Sequence, residues 1–141
     1  MEELKGFLVE EVEGSVDVTL SSSEQKINLP GLVVENGFNV PPIGTLWLTS
    51  NDSPYEETLY ISLVDSESLV TERVELYKAY TPGVLKDVVS KGNYIEFEFW
   101  QGQTHQVTIE KEKKLRFSRF LPQAGCHYSS KLAPSYLTIS K

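Results

Sequence analysis

Apolar side chains recur at every second residue along most of this chain, a period that belongs to strands with one face on a core. Val16, Val18 and Leu20 interleave with Ser15, Asp17, Thr19 and Ser21, and Leu46 and Leu48 interleave with Trp47 and Thr49. Leu59, Ile61 and Leu63 do the same with Tyr60 and Ser62. Phe7 and Val9, set off from the first of these runs by Glu13-Gly14, predict an N-terminal hairpin. Ile27 and Leu29 mark a third strand ending at Pro30-Gly31, after which Leu32-Val33-Val34 resumes. Asn36-Gly37 and Pro41-Pro42-Ile43-Gly44 predict a longer loop, and Ser50-Asn51-Asp52-Ser53-Pro54 a turn. Residues 69–80 fit both periods, because Val70, Val74 and Tyr77 match a helix while Val74 and Leu76 match a strand; we read a strand.

One segment carries helix signals. Thr81-Pro82 opens a stripe of Val84, Leu85, Val88 and Val89 that closes on Lys91-Gly92, so a short helix is expected over residues 82–91. Alone in water so short a helix is marginal, and its stripe must pack on the sheet. The fold class that follows is all-β: an antiparallel β-sandwich of about ten short strands with one short helix, a partly closed β-barrel being the runner-up. The 141 residues are sized for one β-rich domain over residues 1–141. Such a domain buries roughly 68–70% of the surface its unfolded chain exposes and needs no disulfide or metal to hold a core.

Residues 93–121 can be registered from their own pattern. Ile95, Phe97 and Phe99 share one face, with Glu96, Glu98 and Trp100 on the other. A loop at Gln101-Gly102-Gln103 pairs Trp100 with Thr104, Glu98 with Gln106 and Glu96 with Thr108, avoiding the opposed Glu96 and Glu110 of the neighbouring even register. A second loop at Lys111-Glu112-Lys113 pairs Glu110 with Lys114 and Thr108 with Arg116, and brings Leu115 and Phe117 to the core of Val107 and Ile109. The resulting meander sets Trp100, Thr104 and Phe120 in one row of a polar face, with the two aromatics about 10 Å apart. That row is either a docking patch or is covered by another segment, such as a strand over residues 135–141.

Charge divides the chain. Residues 1–75 hold 3 basic and 15 acidic groups, net −12, and residues 76–141 hold 10 basic and 5 acidic groups, net +5. The acidic total of −7 counts against general nucleic-acid binding, which depends on clustered Lys and Arg at phosphates. Lys111, Lys113, Lys114, Arg116 and Arg119 fall at the expected hairpin tip. They read either as a solvated turn balanced by Glu110 and Glu112 or as a docking tip for an acidic surface.

Motifs for chemistry are sparse. Glu96 and Glu98 lie about 7 Å apart on one strand face, within the range for inverting glycoside hydrolysis, yet any E-x-E strand gives that spacing. Cys126 and His127 are adjacent, so in extended chain they point to opposite faces, and only the fold can bring His105 to Cys126. Two His and one Cys cannot build a Cys- and His-rich zinc site, and no phosphate-cradling glycine motif occurs. No catalytic, metal or cofactor site is therefore assigned. The lone Cys126 suits a reducing compartment, the acidic start Met1-Glu2-Glu3 is unlike a secretory leader, and no apolar run nears the ~20 residues of a membrane span. A soluble cytoplasmic chain with no membrane partner is expected.

The function expected is that of a non-enzymatic interaction module. It binds a protein partner or assembles with copies of itself, as an inhibitor-like protein or a particle subunit, through Trp100, Thr104 and Phe120 and through Lys111, Lys113, Lys114 and Arg116. The alternative is a small-ligand or carbohydrate binder that uses a barrel mouth or an aromatic platform drawn from Trp47, Tyr55, Tyr60, Tyr77, Tyr80 and Tyr94. A small hydrolase using Glu96 and Glu98, or His105 and Cys126, stands third.

Overall fold

A strand buried on one face alternates, but Gly44–Ser50 and Leu59–Asp65 are buried at almost every residue. Their leucines and isoleucine face one way while Trp47 and Val64 face the other, which requires a sheet covered on both sides. The computed structural model, which describes residues 1–53, 55–116, 119, 124–131 and 133–140, has that arrangement. In chain order its strands are β1 (Glu2–Glu3), β2 (Phe7–Val12), β3 (Ser15–Leu20), β4 (Lys26–Pro30), β5 (Val33–Val40), β6 (Gly44–Ser50) and β7 (Leu59–Asp65). There follow β8 (Val70–Leu76), β9 (Lys86–Ser90), β10 (Tyr94–Glu98), β11 (Thr104–Lys114), β12 (Cys126–Tyr128) and β13 (Ser135–Ser140).

The thirteen described strands form three antiparallel sheets: β1-β5-β6-β7-β8-β12, β13-β11-β10-β9 and β2-β3-β4. The six-stranded sheet is the middle layer. On one face Phe38, Leu46, Leu48, Leu59, Ile61, Leu63, Val74 and Leu76 meet Ile95, Phe97, Phe99, Val107, Ile109, Leu137 and Ile139 of the four-stranded sheet. On the other, Trp47 and Val64 meet Val16, Val18, Ile27 and Leu29 of the three-stranded sheet. The fold is thus an all-β sandwich carrying a third layer, and none of the described sheets closes into a barrel. No described helix is long and apolar enough to cross a membrane.

The expected N-terminal hairpin forms, with Val9 opposite Val18 and Glu13-Gly14 at its turn, both with positive φ. Of the strand expected over residues 69–80, Val70–Leu76 forms β8, and residues 77–80 lie outside it. Asn36-Gly37, expected in a loop, lies inside β5 opposite Leu48 and Trp47. Its glycine serves the Trp47 ring, which lies so close that a Cβ on Gly37 would sit 2.4 Å from it.

The helix expected over residues 82–91 is absent, and β9 stands there, paired with β10. Val84 N–H donates to the Phe99 carbonyl (3.0 Å), and Gly83 lies flat against the Phe99 ring. A bulge set by Asp87 at φ 58° then shifts the register between Glu98↔Lys86 and Glu96↔Val89. Val84 and Val89 are 59% and 46% exposed while Leu85 and Val88 pack against the core, so the apparent helical stripe is split between solvent and core. The open edge of β10 offered this segment a ladder of backbone bonds, which outweighed a short, marginal helix.

The meander is corrected twice. β10 and β11 keep the expected faces, but Glu98 opposes Thr104 and Glu96 opposes Gln106, a slip of two residues. The longer loop accommodates Phe99 and Trp100 outside the ladder, closed by the Gln103 N–H on the Trp100 carbonyl (2.9 Å). No turn forms at Lys111-Glu112-Lys113: β11 continues through it, with a shift of register between Ile109 and Lys114, and β13 takes the place of the expected third strand. Leu115 is accordingly exposed (57%) rather than in the core, and Phe117 lies outside the described residues.

Candidate functional site

Along β11 the core-facing positions are His105, Val107 and Ile109, all buried. The strand then outruns β10, whose pairing ends at Tyr94↔Thr108, and its register against β13 shifts between Ile109 and Lys114, so the alternation breaks and Lys111, Lys113 and Lys114 are all exposed. Lys114 lies opposite Ser135, and Lys113 Nζ stands 5.5 Å from the centre of the Tyr136 ring. Beside Lys111 an open apolar cleft of about 510 Å³ lies at one end of the sandwich, walled by Val40, Pro41, Pro42, Ile43 and Ile109. The site is therefore an apolar hollow whose lip carries three lysines with Glu110 and Glu112 interleaved, Glu110 and Lys111 both lining the cleft.

The remaining predicted residues are dispersed. Trp100 is buried (2% exposed), so it offers no exposed face to the expected docking row with Thr104 and Phe120. Its ring packs against Phe99, His105 and Gly125, with Lys78 Nζ 4.2 Å from its centre. Thr104 is exposed and pairs with Glu98, and Phe120 lies outside the described residues. Arg116 is turned to β13, where its guanidinium donates to Ser135 Oγ (3.1 Å) and to the Ser135 and Tyr136 carbonyls.

Arg119, grouped by sequence with the surface cations, is buried instead. It donates to the Ser130 and Leu137 carbonyls (2.7 and 2.6 Å), pairs with Glu72 (3.3 Å) and stacks over Tyr128 at 4.2 Å. Glu98 pairs with Lys86 at 2.9 Å, and that bond holds the ammonium above its usual pKa. Glu96 accepts from the Gln106 amide (3.2 Å). His105 stacks on Phe97 at 5.6 Å, and Trp47 is wholly buried, so neither indole offers a face to a sugar. No group of three or more His, Cys, Asp or Glu among the described residues is placed to hold a metal.

On β12 Cys126 points into the core and His127 out, as extended chain requires. Cys126 and Tyr128 share a face and a hydrogen bond. Burial raises the thiol, against the opposing pulls of that bond and of Arg119. Burial and the neighbouring thiol push the Tyr128 hydroxyl from 10.0 to about 12. Between those two values the unfolded chain has released the Tyr128 proton and the folded chain still holds it. Stability contributed by Tyr128 is therefore intact below pH 10 and is lost as pH rises toward about 12. Urea midpoints taken upward from pH 9 are expected to fall by the equivalent of about 2 kcal/mol, and Tyr128→Phe to flatten that decline. An equally steep decline in the variant would assign it elsewhere.

Comparison with protein-family models, curated proteins and solved structures gives no match for this chain.

Proposed function

We propose that this chain is a non-enzymatic cytoplasmic binding protein that docks a protein partner on the lysine-bearing end of β11 and the apolar cleft beside it. The observation that carries the reading is the run of exposed Lys111, Lys113 and Lys114 where β11 outruns β10, with Lys111 lining the apolar cleft. A lysine stem packs on apolar surface while its ammonium reaches outward, so the cleft and its lip suit an apolar side chain flanked by carboxylates. Charge of this kind steers association and makes it salt-sensitive.

The test is fluorescence anisotropy with a labelled peptide of alternating Glu and Leu. Binding is expected to weaken at least about tenfold between roughly 0.05 and 0.5 M NaCl, as the screening length shortens. It is expected to disappear in Lys111→Glu/Lys113→Glu/Lys114→Glu. Affinity indifferent to both salt and charge reversal overturns the reading. The cleft volume of about 510 Å³ favours one second reading, a small apolar ligand, because such sites span about 300–1,000 Å³. An apolar dye that binds in the cleft at any salt, with no peptide binding, would select it.

A further inference from the structure

We propose that the occupant of the β11 end is strand β2 of a second copy of this chain, an inference that rests on the docking reading above. β2 is the outer strand of its sheet, with β3 as its neighbour. Its Val9 and Glu11 oppose the buried Val18 and Val16, yet Val9 is 47% exposed and Glu11 is exposed too, so β2 overhangs the layer beneath. On its other face Leu8 is 75% and Val12 38% exposed. Residues 7–13 thus combine three exposed apolar side chains with the carboxylates of Glu10, Glu11 and Glu13.

An apolar outer strand is a template on which another strand adds. This one is acidic, and the overhanging end of β11 is its complement. There Lys111, Lys113 and Lys114 precede the exposed Leu115, and among the described residues no strand pairs with Glu110 to Lys113 on the β10 side. The cleft beside Lys111 is apolar where Leu8 needs a seat. β2 and the cleft lie on opposite sides of the six-stranded sheet, so a chain cannot fill its own cleft. The contact joins unlike surfaces and repeats head to tail, building a ring or a filament according to whether the rotation closes.

Sedimentation of the full chain over a range of concentrations, in roughly 0.05 and 0.5 M NaCl, reads the contact. Species heavier than 15.9 kDa are expected at low salt and high concentration. They are expected to vanish with Leu8→Asp, with Glu10→Lys/Glu11→Lys/Glu13→Lys, and with Lys111→Glu/Lys113→Glu/Lys114→Glu. Mixing the two triple variants restores opposite charge at every contact, so assembly is expected to return in the mixture alone, which a misfolded variant would not do. Heavy species that survive the β2 reversal overturn the inference, as does failure of the mixture to reassemble. A chain that stays at 15.9 kDa while the Glu-Leu peptide still binds removes β2 as occupant and leaves the docking reading standing. Loss of peptide binding as well removes both.

Discussion

Glu72→Gln is expected to lower the melting temperature by roughly 10–15 °C, corresponding to about 3–5 kcal/mol, far more than any surface charge on this chain is worth. Glu72 accepts from the Tyr136 and Leu137 backbone N–H groups (2.8 and 3.2 Å) as well as from Arg119, so one carboxylate ties β8 to the start of β13 and to the Arg119 turn. Arg119 is 4% exposed. Neutralising Glu72 leaves that guanidinium buried beside two carbonyls and the Tyr128 ring, with no compensating charge from Glu72. Replacing both ends, as Glu72→Met/Arg119→Met, is expected to cost less than the sum of the single changes, with a coupling of about 1–3 kcal/mol. Because the pair is buried, raising salt should leave the effect nearly unchanged. Additive single effects would show that the two groups act separately.

Much of the layout was legible because alternation reports the face a residue takes. Val16, Val18, Ile27, Leu29, Leu46, Leu48, Leu59, Ile61 and Leu63 all point inward as their period requires. The same period is silent on which strand lies next to which. Glu110 opposite Lys114 and Thr108 opposite Arg116 satisfied every local charge rule, yet β13, some thirty residues from β11 in sequence, took that edge. Choosing between a local and a distant partner depends on the total surface each buries, which pair-by-pair charge matching does not contain. Nor did Lys111-Glu112-Lys113 hold a residue that favours a tight turn.

The third layer had one visible signal. Trp47 interrupts the polar face of β6 between Thr45 and Thr49, and Val64 follows Leu63 in β7, so both strands carry apolar groups on the face that should have met water. The basic end of β11 was legible as a cluster but not as an overhang. Its meaning changed once β11 proved to run on past the end of β10, leaving Lys111, Lys113 and Lys114 exposed beside an apolar cleft. Arg119 sits two residues after Phe117 and next to Phe120, an apolar setting that already separates it from the lysines. The helical spacing of residues 84–89 misled because two valines at strand spacing and at helix spacing look alike over so short a run.

Trp47→Ala is expected to cost about 3–5 kcal/mol and to loosen the three-stranded layer first. The indole is wholly buried, meets Phe7 edge to face at 5.1 Å, and donates through Nε1 to Thr45 Oγ1 at 2.8 Å. It is the largest side chain in the cluster joining β2, β3 and β4 to the middle sheet, which Thr49 Oγ1 supplements with a bond to the Pro30 carbonyl (2.6 Å). Amides of residues 7–30 are therefore expected to exchange with solvent much faster in the variant, while those of β10 and β11 keep most of their protection. Uniform acceleration across all three sheets would mean instead that the layers unfold as one unit. Gly37→Ala supplies an independent check on the same ring. In the parent it forces a methyl to within 2.4 Å of the indole and should cost about 1–3 kcal/mol. In the Trp47→Ala background the obstruction is gone and the methyl occupies vacated space, so the cost should shrink or change sign; an undiminished cost would show that the backbone, not the ring, requires glycine there.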